Sequence, residues 1–312
     1  MLTYKRILVT GGAGFIGTNL CNKILSSTSA SVICLDNLYS GKLENINLHK
    51  SKSFKFINHD IRDPFDIECD LIINLACPAS PIKYQENKVF TAETSALGIM
   101  NVCKNAKKYS STIIHASTSE IYGDPLVHPQ NENYYGNVNI NGIRSCYDEG
   151  KRYAETYLLD YCAQNNLQNN ILRIFNTYGP YMAHNDGRVV SNFIMQAIKN
   201  QNITIYGEGT QTRSLCFIDD LVNGIMQIAK LTNNTITNIG SNQEKTILEI
   251  AELVIKLTKS NSKLDFSPLP QNDPLQRKPD LQRIEKLINW SNLTPPEIGI
   301  NKTIEYFKLI NV

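Results

Sequence analysis

The sequence lacks closely paired cysteines, a large excess of either charge, and any long hydrophobic run. Its eight cysteines are scattered without a Cys-x-x-Cys pair, so they give no disulfide framework and favour a reducing compartment. The five histidines show no metal-ligand spacing, and we therefore expect no bound metal. A net charge of +2 over 312 residues is too small to indicate nucleic acid or a membrane surface as a partner.

No segment approaches the ~18 apolar residues that a membrane-spanning helix needs. The chain passes from Lys5 and Arg6 directly into a predicted strand without a cleavable apolar segment, so we expect a cytoplasmic protein. The hydrophobic content of 42% and the charged content of 19% are typical of a globular protein. A chain of this length can bury a large core, as one large domain or two interlocked ones.

A glycine-rich turn follows the first predicted strand, Arg6 to Thr10. It reads Gly-Gly-Ala-Gly-Phe-Ile-Gly from Gly11 to Gly17, and a predicted amphipathic helix follows to about Leu25. The glycines at 11, 14 and 17 allow the backbone to approach a pyrophosphate, which then lies at the helix N-terminus. A tight turn that needs positive φ is the alternative explanation for the same glycines.

The next predicted strand, Ser31 to Leu35, ends at Asp36, about twenty residues beyond the last glycine of the turn. An acid at this place accepts hydrogen bonds from both hydroxyls of an adenosine ribose and repels a 2′-phosphate. The sequence therefore predicts NAD rather than NADP as the cofactor. A solvated acid at a strand end is the alternative interpretation of Asp36.

Strands alternate with helices over the following part of the chain. Four further strands are predicted at 54–58, 71–75, 112–116 and 171–174, and two long helices at 89–108 and 147–165. This alternation predicts an α/β protein with a doubly wound parallel sheet. We assign residues 1–177 plus about 212–237 to an NAD-binding domain, and about 178–211 plus 238–312 to a smaller α/β lobe that binds the substrate.

Tyr147 and Lys151 lie one helical turn apart at the start of the second long helix, so they share one face. An ammonium ion beside a phenol favours the phenolate. The hydroxyl of Thr118 could hold the same substrate oxygen. Together these groups can remove a proton from an alcohol while another group takes the hydride. The spacing alone is a weak signal, because Tyr84 and Lys88 repeat it without a partner motif.

Five motifs occur in a characteristic order along the chain: the turn 11–17, Asp36-Asn37, Ser-Thr-Ser-Glu-Ile-Tyr-Gly at 117–123, Tyr147-x-x-x-Lys151, and Arg-Ile-Phe-Asn-Thr-Tyr-Gly-Pro at 173–180. Together they resemble the extended short-chain dehydrogenase/reductase family over nearly the whole chain. Residues 123–130, 146–152, 187–193 and 277–280 are similar to the branch of this family that decarboxylates UDP-glucuronate to UDP-xylose.

The resemblance implies a carboxy-lyase that binds NAD and regenerates it within each turnover. Tyr147 would take the proton of the sugar C4 hydroxyl, and Thr118 would bind the C4 oxygen. Lys151 would lower the Tyr147 pKa and hold the nicotinamide ribose. The 4-keto uronate then loses CO2 readily because its electrons pass into the ketone. Glu120 and Arg277 would handle the carboxylate and the protonation at C5.

The resemblance also implies two sets of binding residues. The cofactor would contact Gly11, Gly14, Phe15, Ile16, Gly17, Asp36, Asn37, Ser40, Gly41, Asp60, Ile61, Leu75, Cys77, Thr94, Tyr147, Lys151, Thr177 and Arg188. A nucleotide sugar, with UDP as the expected nucleotide, would contact Pro81, Tyr84, Glu93, Asn176, Arg188, Val190, Asn192, Tyr206, Gln211, Arg213 and Arg277. We further expect a homodimer that pairs the helices 89–108 and 147–165, and neither nucleic acid nor membrane as a partner.

Two related activities and one inactive role remain as alternatives. A nucleotide-hexose 4,6-dehydratase of this family carries Asp-Glu after the threonine, whereas this chain carries Ser119-Glu120, and a serine hydroxyl is a poor proton donor for expelling the C6 hydroxyl. A 4-epimerase is the second alternative, and an NAD-binding protein without turnover is the third. Glu120 could also be a structural acid that caps a neighbouring amide.

Two positions depart from the decarboxylase pattern. Glu93 stands where a lysine is usual near the sugar carboxylate, and Tyr181 stands where an arginine is usual. If Glu93 faces the substrate, its charge should repel a uronate. Cys77 and Cys146 lie near the predicted site, where we interpret them as small residues that fill space.

Overall fold

The computed structural model describes residues 3–47, 51–268, 276–291 and 293–310 of the protein. Its centre is a seven-stranded sheet in which every pair of neighbouring strands is parallel. The strands are β1 (Arg6–Thr10), β2 (Ser31–Asp36), β3 (Phe54–Asn58), β4 (Leu71–Asn74), β5 (Thr112–Thr118), β6 (Asn169–Ile174) and β11 (Thr235–Ile239). They lie in the order β11-β6-β5-β4-β1-β2-β3, which confirms the doubly wound sheet.

Helices cover both faces of the sheet because its strands are apolar on both sides. Ile7 and Val9 of β1 belong to one hydrophobic cluster, and Leu8 between them belongs to another. The first cluster includes α1 (Phe15–Ser27) and α7 (Ile218–Ile228), and the second includes α4 (Lys88–Tyr109) and α5 (Ser145–Asn165). Short helices α2 (Leu43–Asn47), α3 (Pro81–Glu86) and α9 (Gln282–Leu287) and the 3-10 turn Ser119–Tyr122 lie in the connections.

Smaller elements from the C-terminal half pack beside the sheet. Three two-stranded pairs form there: β7 (Thr177–Tyr178) with β10 (Cys216–Phe217), β9 (Thr212–Ser214) with β12 (Glu244–Thr246), and β8 (Ile203–Tyr206) with β13 (Leu264–Ser267). They are accompanied by α6 (Val189–Ile198), α8 (Ile247–Thr258) and α10 (Pro296–Leu309). Parts of the predicted lobe at 269–275, 292 and 311–312 lie outside the described residues.

The predicted elements agree with the observed ones to within a few residues. The predicted domain boundary at 237 falls inside β11, which continues to Ile239 in register with Ile174 of β6. Apart from the boundary at residue 237, the predicted division of the chain into two lobes stays a prediction. No helix in the described ranges is both long enough and apolar enough to cross a membrane.

Candidate active site

A cavity of about 790 Å³ follows the carboxyl ends of the central strands. The glycine turn, the loops after β2, β4 and β5, and residues from 176 to 213 form most of its wall. Glu93 lies outside this wall, whereas all the other predicted catalytic, cofactor and substrate residues line it. This placement agrees with the rule that open parallel sheets bind ligands beyond the carboxyl ends of their strands.

The glycine turn is packed too tightly for side chains. Gly11 has φ +70°, and its N–H donates to the carbonyl of Leu35 at 2.8 Å. A Cβ on Gly17 would lie 2.2 Å from the carbonyl oxygen of Gly11. The helix α1 begins after Gly14 with no side-chain cap and no acidic residue in its first turn. Its N-terminal N–H groups are therefore suited to an anion such as a pyrophosphate.

Asp36 is held beside this turn by backbone donors. Its carboxylate accepts from the N–H of Ala13 at 3.0 Å and from the N–H of Leu38 at 2.8 Å. Burial raises the pKa of Asp36, and these two hydrogen bonds oppose the rise. Asn37 donates to Asp60 at 2.9 Å in the same part of the wall. The Asp36 carboxylate and the Asn37 amide are thus placed to hydrogen-bond the hydroxyls and the base of an adenosine.

The predicted proton-transfer group, Tyr147, Lys151 and Thr118, comes together in the cavity wall. Burial shifts the pKa values of both Tyr147 and Lys151. Burial raises the pKa of Tyr147, and a hydrogen bond with Thr118 lowers it. The Lys151 Nζ donates to the carbonyl of Ala116 at 2.7 Å and lies 6.0 Å from the centre of the Tyr147 ring. Burial also lowers the pKa of Lys151. Burial is the largest influence, so the Tyr147 pKa lies above its usual value in this structure. The predicted lowering of this pKa by Lys151 stays a prediction.

Glu120 lies between two arginines at the end of the site. Its two carboxylate oxygens accept from the guanidinium groups of Arg277 and Arg144. Burial alone would raise the pKa of Glu120, but these two cations hold it below its usual value. The carboxylate therefore binds guanidinium groups rather than capping an amide. The sequence prediction missed Arg144, although its position one turn before Tyr147 was an available signal.

Hydrogen bonds from the buried Gln130 position Arg277 beside Glu120. Gln130 is fully buried, and its side chain accepts from the N–H of Lys278 at 3.0 Å and donates to the carbonyl of Val127 at 2.7 Å. Its backbone N–H donates to the Lys278 carbonyl at 2.9 Å, and its carbonyl accepts from Asp280 at 2.8 Å. The segment that directly follows Arg277 is thus bonded to both the side chain and the backbone of Gln130.

The prediction that Glu93 contacts the substrate is wrong. Its carboxylate accepts from Arg62 at 2.7 Å, and its side chain is 44% exposed. Arg62 also binds Asp60 at 3.0 Å. The charge of Glu93 is therefore neutralised by Arg62, outside the cavity. Tyr181, the other departure from the pattern, does line the cavity, and its ring packs against Tyr306 with ring centres 5.1 Å apart.

Polar side chains between residues 186 and 211 line another part of the cavity wall. Arg188 is bound by Asp186 at 2.6 Å, and Ser191 donates to the same carboxylate at 2.6 Å. Gln211 donates to the Tyr206 carbonyl at 2.8 Å, while its buried Oε1 has no partner among the residues that the structure describes. Such an acceptor can take a hydrogen bond from a donor group of a bound ligand. Asp186 was not predicted, because only the folded chain shows its contact with Arg188.

Cys77 and Cys146, the two cysteines near the site, make only long polar contacts. Cys77 lies 3.5 Å from the hydroxyl of Ser95, and Cys146 donates to the Tyr84 carbonyl at 3.5 Å. Neither contact suggests an activated nucleophile, and burial raises the pKa of Cys146. Within the described ranges, no group of three His, Cys, Asp or Glu side chains is placed to hold a metal ion.

The model of the NAD dependent epimerase/dehydratase family matches residues 7–240. The chain belongs to this family. It is 45% identical to UDP-glucuronic acid decarboxylase 1 of Danio rerio, over 97% of this chain and 72% of the relative. It is also 45% identical to UDP-glucuronic acid decarboxylase 6 of Arabidopsis thaliana, over 97% of this chain and 89% of the relative.

Among solved structures of the family, the fold is similar to UDP-glucuronic acid 4-epimerase from Bacillus cereus in complex with UDP-glucuronic acid and NAD. The TM-score is 0.88 at 26% identity, and the match covers 98% of this chain and 99% of the epimerase. The fold therefore accommodates more than one reaction, and the site residues must discriminate between them.

Proposed function

We propose that the protein decarboxylates UDP-glucuronate to UDP-xylose through a 4-keto intermediate. The observation that carries this proposal is the ion pair between buried Arg277 and partly buried Glu120 beside Tyr147 in the cavity. A guanidinium group at this place can bind the carboxylate of a uronate. Relatives that are 45% identical and named as UDP-glucuronic acid decarboxylases support the assignment.

The residues present fit NAD. The uncapped N-terminus of α1 suits a pyrophosphate, and the Asp36 carboxylate suits the adenosine ribose and disfavours NADP. Lys151 reaches the cavity wall near Tyr147 and would hold the second ribose. When bound, NAD supplies the acceptor that takes a hydride from C4 of the sugar and later returns it.

Tyr147 is the group that takes the proton of the C4 hydroxyl. Thr118 contacts Tyr147 and would orient the C4 oxygen toward it. Because burial raises the pKa of Tyr147, its phenolate needs the positive charge of Lys151 and of the bound cofactor. Lys151 is held in place by its hydrogen bond to the Ala116 carbonyl.

Arg277 and Glu120 would act on the carboxylate end of the sugar. The Arg277 Nη2 is buried without a partner among the described residues, so it retains a donor for the substrate carboxylate. The C5–C6 bond then breaks, its electrons pass toward the C4 ketone, and C6 leaves as CO2. C5 finally takes a proton. Glu120 stays ionised between its two arginines and can orient a water molecule at C5.

Incubation with UDP-glucuronate tests this proposal. We expect UDP-xylose and CO2, and no net reduction of added NAD because the cofactor is recycled. Formation of UDP-galacturonate would support a 4-epimerase, and unchanged substrate would contradict both activities. The buried hydroxyl of Ser119 disfavours a 4,6-dehydratase, so UDP-glucose should not lose water.

We also propose a homodimer through α4 and α5. Tyr153, Tyr157 and Tyr161 stack along α5 with successive ring centres 6.1 and 5.7 Å apart, and Leu97 of α4 is 43% exposed. Such an aromatic row suits burial against a second copy. Sedimentation equilibrium at micromolar concentration should give a dimer, and Tyr157→Asp should shift it toward a monomer. A wild-type monomer would contradict the proposal.

We propose a cytoplasmic location on the ground that all eight cysteines are free thiols. Fractionation of cells that express the tagged full chain should recover it with cytoplasmic markers. Recovery with secretory membranes would contradict this location.

A further inference from the structure

A second, smaller cavity lies against the main one. It has a volume of about 110 Å³, and Glu120, Arg144 and Arg277 line both cavities. We call the smaller one the side cavity. Its inner wall includes Asp148, and its outer wall includes Asp124 and Asn139, which are exposed. The side cavity therefore leads from the ion pairs of Glu120 toward the protein surface.

Asp148 faces this cavity with an unsatisfied carboxylate. The residue is 7% exposed, lines the side cavity but not the main one, and its Oδ1 has no hydrogen-bond partner in the part of the chain that the structure describes. A buried polar atom of this kind is normally paired, commonly with water. A polar cavity of this volume can hold several water molecules.

The proposed reaction needs a proton at C5 that Glu120 does not hold. Arg277 and Arg144 keep the pKa of Glu120 below its usual value, so its carboxylate is ionised at neutral pH. Asp148 differs: burial and the charge of Glu120 raise its pKa to about 7, while Arg144 opposes the rise. The charged and titratable groups around Asp148 are Glu120, Arg144, Arg277, Glu149, Tyr84, Cys146 and Tyr147.

We propose that Asp148 holds the proton destined for C5 and passes it through water in the side cavity to the water molecule at Glu120. This inference rests on the proposed decarboxylation. After CO2 has left, the C4–C5 enolate returns its electrons to C5 as C5 takes a proton from that water. The water regains a proton from the Asp148 carboxylic acid through the side cavity. The Asp148 carboxylate is then protonated again from bulk water at the exposed rim.

The test compares the NAD-loaded wild type with Asp148→Asn, which keeps the shape of the side chain but cannot hold the proton. We expect kcat for UDP-xylose formation to fall about 10²-fold, as for other lost proton-transfer groups. CO2 release in the first turnover should remain close to that of the wild type. Reduced NAD should therefore accumulate during turnover and be visible by its near-ultraviolet absorbance.

The pH profile separates proton transfer from a structural role. The wild type needs Asp148 protonated, so its kcat should fall as the pH rises above about 7. Asp148→Asn should lose this alkaline decline. Infrared difference spectra of the wild type should show a carboxylic acid band that disappears over the same pH range and is absent from the variant.

Glu149→Gln is the matched control, because it makes the same change at the next position of α5. Glu149 is 39% exposed and lies 3.6 Å from Arg152. It should keep both the wild-type rate and the alkaline decline. A wild-type rate and pH profile in Asp148→Asn would overturn the relay, as would equal loss of first-turnover CO2 and UDP-xylose. If the wild type itself releases no CO2 from UDP-glucuronate, the proposed function fails instead.

Discussion

The ring of Tyr84 lies nearly flat on the ring of Tyr147, with ring centres 5.0 Å apart and an angle of 7° between the planes. Tyr84 is almost fully buried, and burial raises its own pKa to about 12, so it remains a neutral phenol. This stack fixes the orientation of Tyr147 and removes water from one of its faces. The proton acceptor is therefore oriented by packing as well as by hydrogen bonds.

Tyr147→Phe should keep this stack and lose the proton acceptor. We expect turnover to fall by about 10²–10⁴-fold, as is typical when a general base is removed, while NAD binding stays close to wild type. Turnover is measured as UDP-xylose formation, and NAD retention by analysis of the purified protein. Tyr135→Phe makes the same change at a residue that is 89% exposed and lies outside the cavity wall, and it should be neutral. Near-normal turnover in Tyr147→Phe would remove Tyr147 from the mechanism.

Glu120→Gln should change stability in a pH-dependent way. Because the folded pKa of Glu120 lies below its ordinary value of 4.5, its ionised form contributes stability above that value. This contribution is lost as the pH falls through the lower folded pKa. The variant should therefore have a lower Tm than wild type at pH 7, and the difference should shrink toward pH 3.

Glu285→Gln, at an exposed position, serves as the control for this series and should show little Tm difference at either pH. A Tm difference for Glu120→Gln that stays constant from pH 7 to pH 3 would show that its carboxylate is not stabilised by Arg277 and Arg144.

Gln130→Ala should displace Arg277 and leave the residues that hold NAD unchanged. The change leaves the Lys278 N–H and the Val127 carbonyl without their buried partners, which costs about 1–3 kcal/mol for each unsatisfied group. We expect a higher KM for UDP-glucuronate and unchanged NAD affinity, measured by steady-state kinetics and calorimetry. Gln282→Ala is an exposed control. An unchanged KM would show that Arg277 is held by other contacts.

Glu93→Gln should have almost no effect on turnover. Glu93 points to Arg62 rather than into the cavity, and a half-exposed ion pair contributes about 0–1 kcal/mol. Steady-state rates with UDP-glucuronate should match those of the wild type. A large gain in affinity for the uronate would restore the idea that Glu93 repels the substrate.

Ser119→Asp should introduce the acid that dehydration of the C6 hydroxyl requires. Ser119 is 2% exposed and lies beside Glu120 in the cavity wall, so a carboxylic acid there would be close to the sugar. We expect slow conversion of UDP-glucose to a product that has lost water, detected by mass spectrometry. Ser119→Asn has the same shape without the acid and should give none. Dehydration by both variants, or by wild type, would contradict this role of Ser119.

The sequence alone determined the parts of the site that depend on short-range order. The turn from Gly11 to Gly17, Asp36 at the end of β2, and the pair Tyr147 and Lys151 are fixed by strand length, turn geometry and helical spacing. The alternation of strands and helices likewise determined the parallel sheet, because a crossover between parallel strands needs a long connection.

Only the tertiary structure decided which partners the remaining charged and aromatic residues meet. Arg277 reaches Glu120 across 157 positions, and Glu93 turns to Arg62 across 31 positions instead of facing the cavity. The Tyr84–Tyr147 stack and the burial of Asp148 were equally absent from any local pattern. Local periodicity specifies which face a residue occupies, whereas its partner and its pKa depend on which distant segments pack there and exclude water.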